Sequence, residues 1–384
     1  MADREKLQAQ IKARHSLHEL QQSYPARANR GNIEEELKAR QWISDLSEET
    51  KAELVYALNN GSLDLVLRRV ADEALKLTSE TERSVLKQIP IGLVDTTFPY
   101  GEVRVLENES KIVILHTGMM LLINDFADLV IAGVQTASRL PRAEAGLLIV
   151  SLSRKALHIA LMFLSSYELK GSPFLIGPYA PDLETRIAGG CLCNYIEQFC
   201  VLHEYGHILQ DAESTVAAAQ APVTLPEHEL QADAWAYGCI LKGVDTAQYV
   251  KEFPGSRQWL VIAPIVFVAI SLFVENILRR AGWICAELGV DVPTGVDFSS
   301  YPTTAHRYSH AMQNLTNSAE ATPQTMAIAK ASWDLVGAMW SLCELGIKEG
   351  RYREIVVKNS PHKRRAGADS PVSRLLRSAK ALFR

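Results

Sequence analysis

Apolar residues recur at three- and four-residue steps through most of this chain, and at two-residue steps in one short region. "EELKARQWISDL" and "SLDLVLRRVADEALKLTSETERSVLKQI" each gather Leu, Val, Ile and Ala on one helical stripe, with Ser62 and Asp64 offering N-cap chemistry before the second. Residues 1–88 therefore read as an N-terminal helical region. The period changes near Ile89. "IGLVD", "EVRVLEN" and "KIVILHTG" are short, rich in Val and Ile, and separated by the turn-forming stretches "TTFPYG" and "ENES". They predict two or three strands of a small antiparallel sheet. Helical periodicity resumes at Met119 and dominates thereafter. A Gly/Pro-marked loop spans Gly171–Asp182, and a helix starts between it and Gly190. Helix restarts at Pro226, again after Pro254, again within "VDFSSYPTTAHRYSHAMQNL", and for the last time over residues 323–347. The expected fold is α+β and mainly α-helical, with residues 89–347 as the central domain and 348–384 as a tail.

Composition changes this picture little. The chain has 384 residues and 47% hydrophobic content, enough for a sizeable core. Net charge is −4, but the segment from Arg351 to Arg384 carries ten Lys/Arg against Glu354 and Asp369, so it is +8 and the remainder −12. Cys191, Cys193, Cys200, Cys239, Cys285 and Cys343 lack the Cys-x-x-Cys pairing of structural zinc, and read as buried free thiols. The opening "MADREKLQAQIKARHSLHEL" is charged throughout with no signal-peptide core, from which a cytoplasmic location is expected. Gln258–Val274 is 17 residues without a charge, at the lower limit for a membrane span. Pro264 interrupts it, and a buried core helix is the expectation.

The chemistry concentrates in "HEYGHILQ", His203 to Gln210. On a helix, positions i and i+4 face the same way, so His203 and His207 can direct two imidazoles at one metal ion while Glu204 reaches a water there. A catalytic zinc needs a third protein ligand and an open position. "EHELQADAWA" supplies a candidate: Glu229 as ligand, with Asp233 one turn on to accept a hydrogen bond from a ligand histidine's other ring nitrogen. The plainer reading of this segment is an acidic helix start, which leaves Asp233 unexplained among apolar neighbours.

His-Glu-x-x-His followed, 22 residues after His207, by Glu229 in "ELQAD" resembles the gluzincin pattern. That pattern is shared by membrane-associated peptidases of the Ste24 and HtpX type and by Oma1-like enzymes, with phage-exclusion Lit-type peptidases and ImmA/IrrE regulators as further relatives. "KIVILHTGMM" is similar to the strand that precedes the motif helix in the Ste24 type. "YPTTAHR" has the spacing of their later His-Pro-x-x-x-x-Arg element, with Tyr301 where the histidine is expected. The resemblance implies a zincin-like catalytic domain.

The function expected is a zinc-dependent metalloendopeptidase acting on protein or peptide substrates, with Zn²⁺ held by His203, His207 and Glu229. Glu204 would serve as general base and then as proton donor to the leaving amine. Tyr301, His306, Arg307 and His310 are candidates for stabilising the oxyanion, and Arg307 has the alternative of tying its segment to Asp233. His306 and His310 form a second i, i+4 pair but lack a glutamate and a third-ligand motif. "KIVILHTG" reads either as an exposed edge strand that could bind a substrate backbone or as an ordinary buried strand of the sheet. A defence or regulatory protease would suit the Lit-type and ImmA-like resemblance. The tail, "SPVSRLLRSAKALFR", patterns as an amphipathic helix for a membrane surface or a partner; nucleic acid is not an expected partner. The competing reading is a non-catalytic helical binding or scaffold protein in which "HEYGH" is structural.

Overall fold

A computed structural model describes residues 64–94, 101–106, 110–136, 141, 144–153, 155–156, 183–214, 225–245, 247, 250, 256–288 and 302–348. The helices expected before residue 64, the loop 171–182, Tyr301 and the tail from 349 onward lie outside the described residues. The elements, in order, are α1 (Asp64–Lys76), α2 (Glu80–Leu86), β1 (Ile91–Val94), β2 (Gly101–Val105), β3 (Lys111–His116), α3 (Thr117–Ile131), α4 (Leu183–Ser214), α5 (Leu225–Gly243), α6 (Arg257–Leu288), α7 (Thr304–Thr316) and α8 (Pro323–Lys348). The fold is α+β and mainly helical.

The periodic run from Ser62 to Ile89 is broken into two helices. Ser79 stops the first and starts the second, forming a capping box with Glu82. Arg83 then reaches back to the carbonyls of Leu75, Lys76 and Thr78, satisfying the open end of α1. Leu67, Val70, Ala74 and Leu86 join the same apolar core as the later helices, so the packing runs on past residue 88. The Trp235 indole donates to Glu82 at 2.9 Å, fastening α2 to α5.

The sheet is mixed, not antiparallel throughout, with strand order β1-β3-β2. β2 and β3 form the antiparallel hairpin that "ENES" predicts, closed by Leu106 N–H to Ser110 O at 2.8 Å. β1 pairs parallel with β3, in the register Ile91 to Val113 through Val94 to His116. Side-chain chemistry explains the order. β3 is buried from Ile112 onward and apolar through Leu115, which suits a strand covered on both edges. β2 carries Glu102 and Arg104, which suit an edge. Of the two readings open for "KIVILHTG", the edge strand is set aside and the buried strand holds: it is central, and β2 lies beside it.

The long helices enclose one large core. Phe126 of α3 meets Phe273 of α6 edge-on at 4.7 Å, and Phe273 meets Trp340 of α8 at 5.7 Å. The apolar stretch containing Gln258–Val274 forms most of α6. It is long and apolar enough to cross a membrane, as is Thr117–Gln135, yet 72% and 76% of these apolar windows are buried inside the fold. Pro264 sits within α6 and cannot continue the hydrogen-bond ladder. The Tyr237 hydroxyl of α5 donates to the carbonyl of Val261 at 2.8 Å, one turn before the proline, and locks α5 against α6 at the interruption. That lock bears on the site, because α5 carries Glu229 and Asp233.

Candidate metal centre

Three helices build the site. α4 contributes His203, Glu204 and His207; α5 contributes Glu229 and Asp233; α7 contributes Arg307. Tyr195, Ile196, Phe199 and Leu202 are buried on α4, so the helix is held in the core and its polar motif is carried inward. α5 begins with Leu225–Pro226, and a proline in the first turn has no helical N–H to lose. Glu229 lies one turn further on.

The donor atoms converge. His203 Nε2 and His207 Nε2 stand 3.2 Å apart, with the rings nearly perpendicular at 88°. Glu229 places Oε2 3.3 Å from His203 Nε2 and Oε1 3.5 Å from His207 Nε2. A tetrahedral ion with bonds of about 2.0–2.1 Å to nitrogen and oxygen separates its ligands by about 3.3–3.4 Å. The spacings are of that order, with Glu229 turning a different oxygen to each ring, so the three residues could hold one ion between them. Among the described residues they are the one group of three suited to hold a metal ion.

Support comes from the next layer of charge. His203 Nδ1 is 2.9 Å from Asp233 Oδ1, which directs the Nε2 lone pair away from Asp233 and toward the convergence point. Arg307 grips Asp233 with two bonds of 2.7 Å, Nε to Oδ2 and Nη2 to Oδ1. The guanidinium also lies 5.7 Å from the centroid of the Phe267 ring. Of the two roles open to Arg307 from sequence, its geometry displays the tie to Asp233. Phe267 packs on Phe199, and Phe199 on His203, giving the centre an apolar floor.

Burial sets the protonation states. Desolvation pulls His203 toward neutrality, but Asp233 and Glu229 outweigh it and raise its pKa to about 10. The surroundings of this ring thus favour positive charge, which a bound cation would supply in place of a proton. Desolvation works against the charge on Glu229 and Asp233 too. His203 keeps Glu229 below the ordinary carboxylate range, and Arg307 with His203 holds Asp233 well below it. Glu204 differs. Burial lifts it, His203 opposes, and the carboxylates of Glu229 and Glu102 add to the rise, leaving it at about 7. A carboxyl poised near neutrality can both accept and return a proton.

Two neighbours of Glu204 escaped the sequence reading. A Cβ at Gly101, the first residue of β2, would lie 2.6 Å from Glu204 Oε1, so the edge strand starts against the carboxyl group. Glu102 follows, with its own carboxyl held below the ordinary value by His116 at 3.8 Å and Arg104 at 2.6 Å. The glycine in "TTFPYG" reads as a turn residue, and only the packing of β2 on α4 gives it this position. His306 is exposed and His310 half-buried on α7. Tyr301 lies outside the described residues.

No curated protein and no solved structure matches the chain. Residues 184–327, a span containing His203, Glu204, His207, Glu229, Asp233 and Arg307, match the peptidase family Peptidase U49.

Proposed function

We propose that the protein is a zinc metallopeptidase that hydrolyses peptide bonds in protein substrates. The observation that carries this reading is the convergence of His203 Nε2, His207 Nε2 and the Glu229 carboxylate within 3.2–3.5 Å of one another. Two imidazoles and a carboxylate, with a fourth position open, suit a catalytic zinc. The match to a peptidase family over the same residues supports the reaction class. When bound, the ion acidifies a water and polarises the scissile carbonyl.

The chain's own residues do the rest. The Asp233 carboxylate, 2.9 Å from His203 Nδ1, favours a proton on that nitrogen and leaves the Nε2 side for the ion. Arg307 keeps Asp233 ionised and fixed. Glu204, buried beside the donor set, would take the proton from the attacking water and pass it to the departing amine. Phe199 and Phe267 exclude water from the floor. Gly101 brings the start of β2 against Glu204, so an extended peptide would lie along β2 rather than β3. A few cellular proteins as targets, in a defence or regulatory role, would follow from the Lit-type and ImmA-like resemblance alone.

Metal analysis of the purified protein, paired with a proteome-wide search for cleaved proteins, tests the reading. One zinc per chain is expected, with cleavage products present for wild type and absent for Glu204→Gln, which keeps its metal. Absence of bound zinc from the wild type would return the helical binding protein as the better account.

A further inference from the structure

Gly206 stands in the middle of α4, between the base Glu204 and the ligand His207. Glycine is a poor helix former, so its place in this buried turn asks for a reason. A methyl group there would lie 3.1 Å from the Cα of Ala232 and 3.3 Å from both its Cβ and its carbonyl oxygen. Carbon atoms pack best at about 3.5–4.0 Å, so two of these contacts fall on backbone that can move only as a helix. Gly238, two turns further along α5, is different: a methyl there would meet nothing within 4 Å. The tight contact is local, and it sits at the level of the metal ligands. Ala232 follows Glu229 by three residues and directly precedes Asp233.

We propose that the Gly206–Ala232 contact sets the spacing of the metal ligands, with Gly206 as a positioning residue. The inference rests on the metallopeptidase reading and extends it. Without a Cβ on Gly206, α5 comes close enough for Glu229 to stand 3.3 and 3.5 Å from the two imidazole nitrogens. The same approach brings Asp233 to 2.9 Å from His203. Metal sites tolerate displacements of about 0.2 Å in ligand distance. A methyl at Gly206 forces the helices apart by a comparable amount. Glu229 can follow by rotating its side chain. Asp233 cannot, because Arg307 of α7 holds both its oxygens. The loss therefore falls on the support of His203 as well as on the ligand set.

Zinc affinity, measured by competition with a chromogenic chelator, tests this. Gly206→Ala is expected to bind zinc about 10–100-fold more weakly than wild type, the range seen when support residues of a metal ligand are changed. The Co²⁺-loaded variant should show a weakened visible band, reporting distorted four-coordination. Gly238→Ala, on the facing helix α5 and clear of any contact, should bind as wild type does. Gly206→Ala within two-fold of wild type overturns the inference and leaves the metallopeptidase reading intact. A wild type that binds no zinc overturns both. Should Gly206→Ala not fold, Gly206→Ala/Ala232→Gly is compared with Ala232→Gly alone. The added methyl still meets the residue 232 Cα and carbonyl, so the pair should bind at least three-fold more weakly, and equal affinities overturn the inference.

Discussion

His203 and His207 on α4 and His306 and His310 on α7 share the same four-residue spacing, yet only the first pair belongs to a metal-ligand set among the described residues. Each helix places two imidazoles on one face. The α4 pair lies against α5, which brings a carboxylate to both rings and a second carboxylate behind one of them. In the α7 pair His306 is exposed and His310 half-buried. What α7 gives the centre is Arg307, the residue between them that turns inward to Asp233. Spacing prepares a helix to bind metal, and the neighbouring helix decides whether it does.

The comparison is broken most directly by removing histidines. His203→Ala or His207→Ala should take bound zinc from one ion per chain to none. His306→Ala and His310→Ala should leave it at one, as read by elemental analysis after gel filtration. Zinc lost equally from both pairs would mean that the α7 histidines bind metal after all.

Gly101→Ala probes the other side of the α4 pair. Its methyl would press on Glu204 Oε1 and on the end of Leu115, both of which can swing aside, so the fold should hold. Displacing a base by about 1 Å costs about 10²-fold in rate. Turnover should fall by that order with zinc retained. Unchanged turnover would detach β2 from the function of Glu204.

Arg307→Met sharpens the contrast between Arg307 and its histidine neighbours. It leaves Asp233 buried and charged without its cation, which typically costs about 3–5 kcal/mol of stability. Zinc affinity should drop about 10–100-fold because His203 loses its anchored support. Chemical denaturation and chelator competition read the two effects, and a variant as stable as wild type would contradict the buried pairing.

The smallest effect is a proton. At pH 8 the metal-free protein keeps His203 charged, since its pKa of about 10 lies above that pH. Zinc requires the neutral ring, so loading should release about one proton. By the same sign, the stability that this raised pKa lends the metal-free fold is full below the ordinary histidine value near 6.5 and is lost as pH climbs through 10. Calorimetric titration with zinc in buffers of different ionisation heat measures the release. Zero protons would place His203 in its neutral form before metal arrives.

What was legible in the sequence was local. The i, i+4 placement of His203 and His207, and of Glu229 and Asp233, depends on helical geometry, which apolar spacing reports well. The hairpin of β2 and β3 followed from one turn between two Val-rich runs. The last core helix, expected over 323–347, is observed as Pro323–Lys348. Break points within helical runs were harder. The stop at Ser79 depends on a capping box whose Ser-x-x-Glu pattern lay inside an unbroken periodic stretch.

Tertiary structure decided what lies between elements. The parallel pairing of β1 with β3 depends on which edge each strand covers, and turn residues carry no record of that. Arg307 could reach the oxyanion or Asp233, and a separation of 74 residues hides the choice until α5 and α7 pack side by side. The sequence by itself determined which side chains share a helical face, because backbone periodicity is a property of neighbours along the chain. The meeting of two imidazoles with Glu229, the approach of Gly101 to Glu204, and the contact of Gly206 with Ala232 were decided only in three dimensions. Each joins groups brought together by burial of the common core, and each has its effect over a few ångströms.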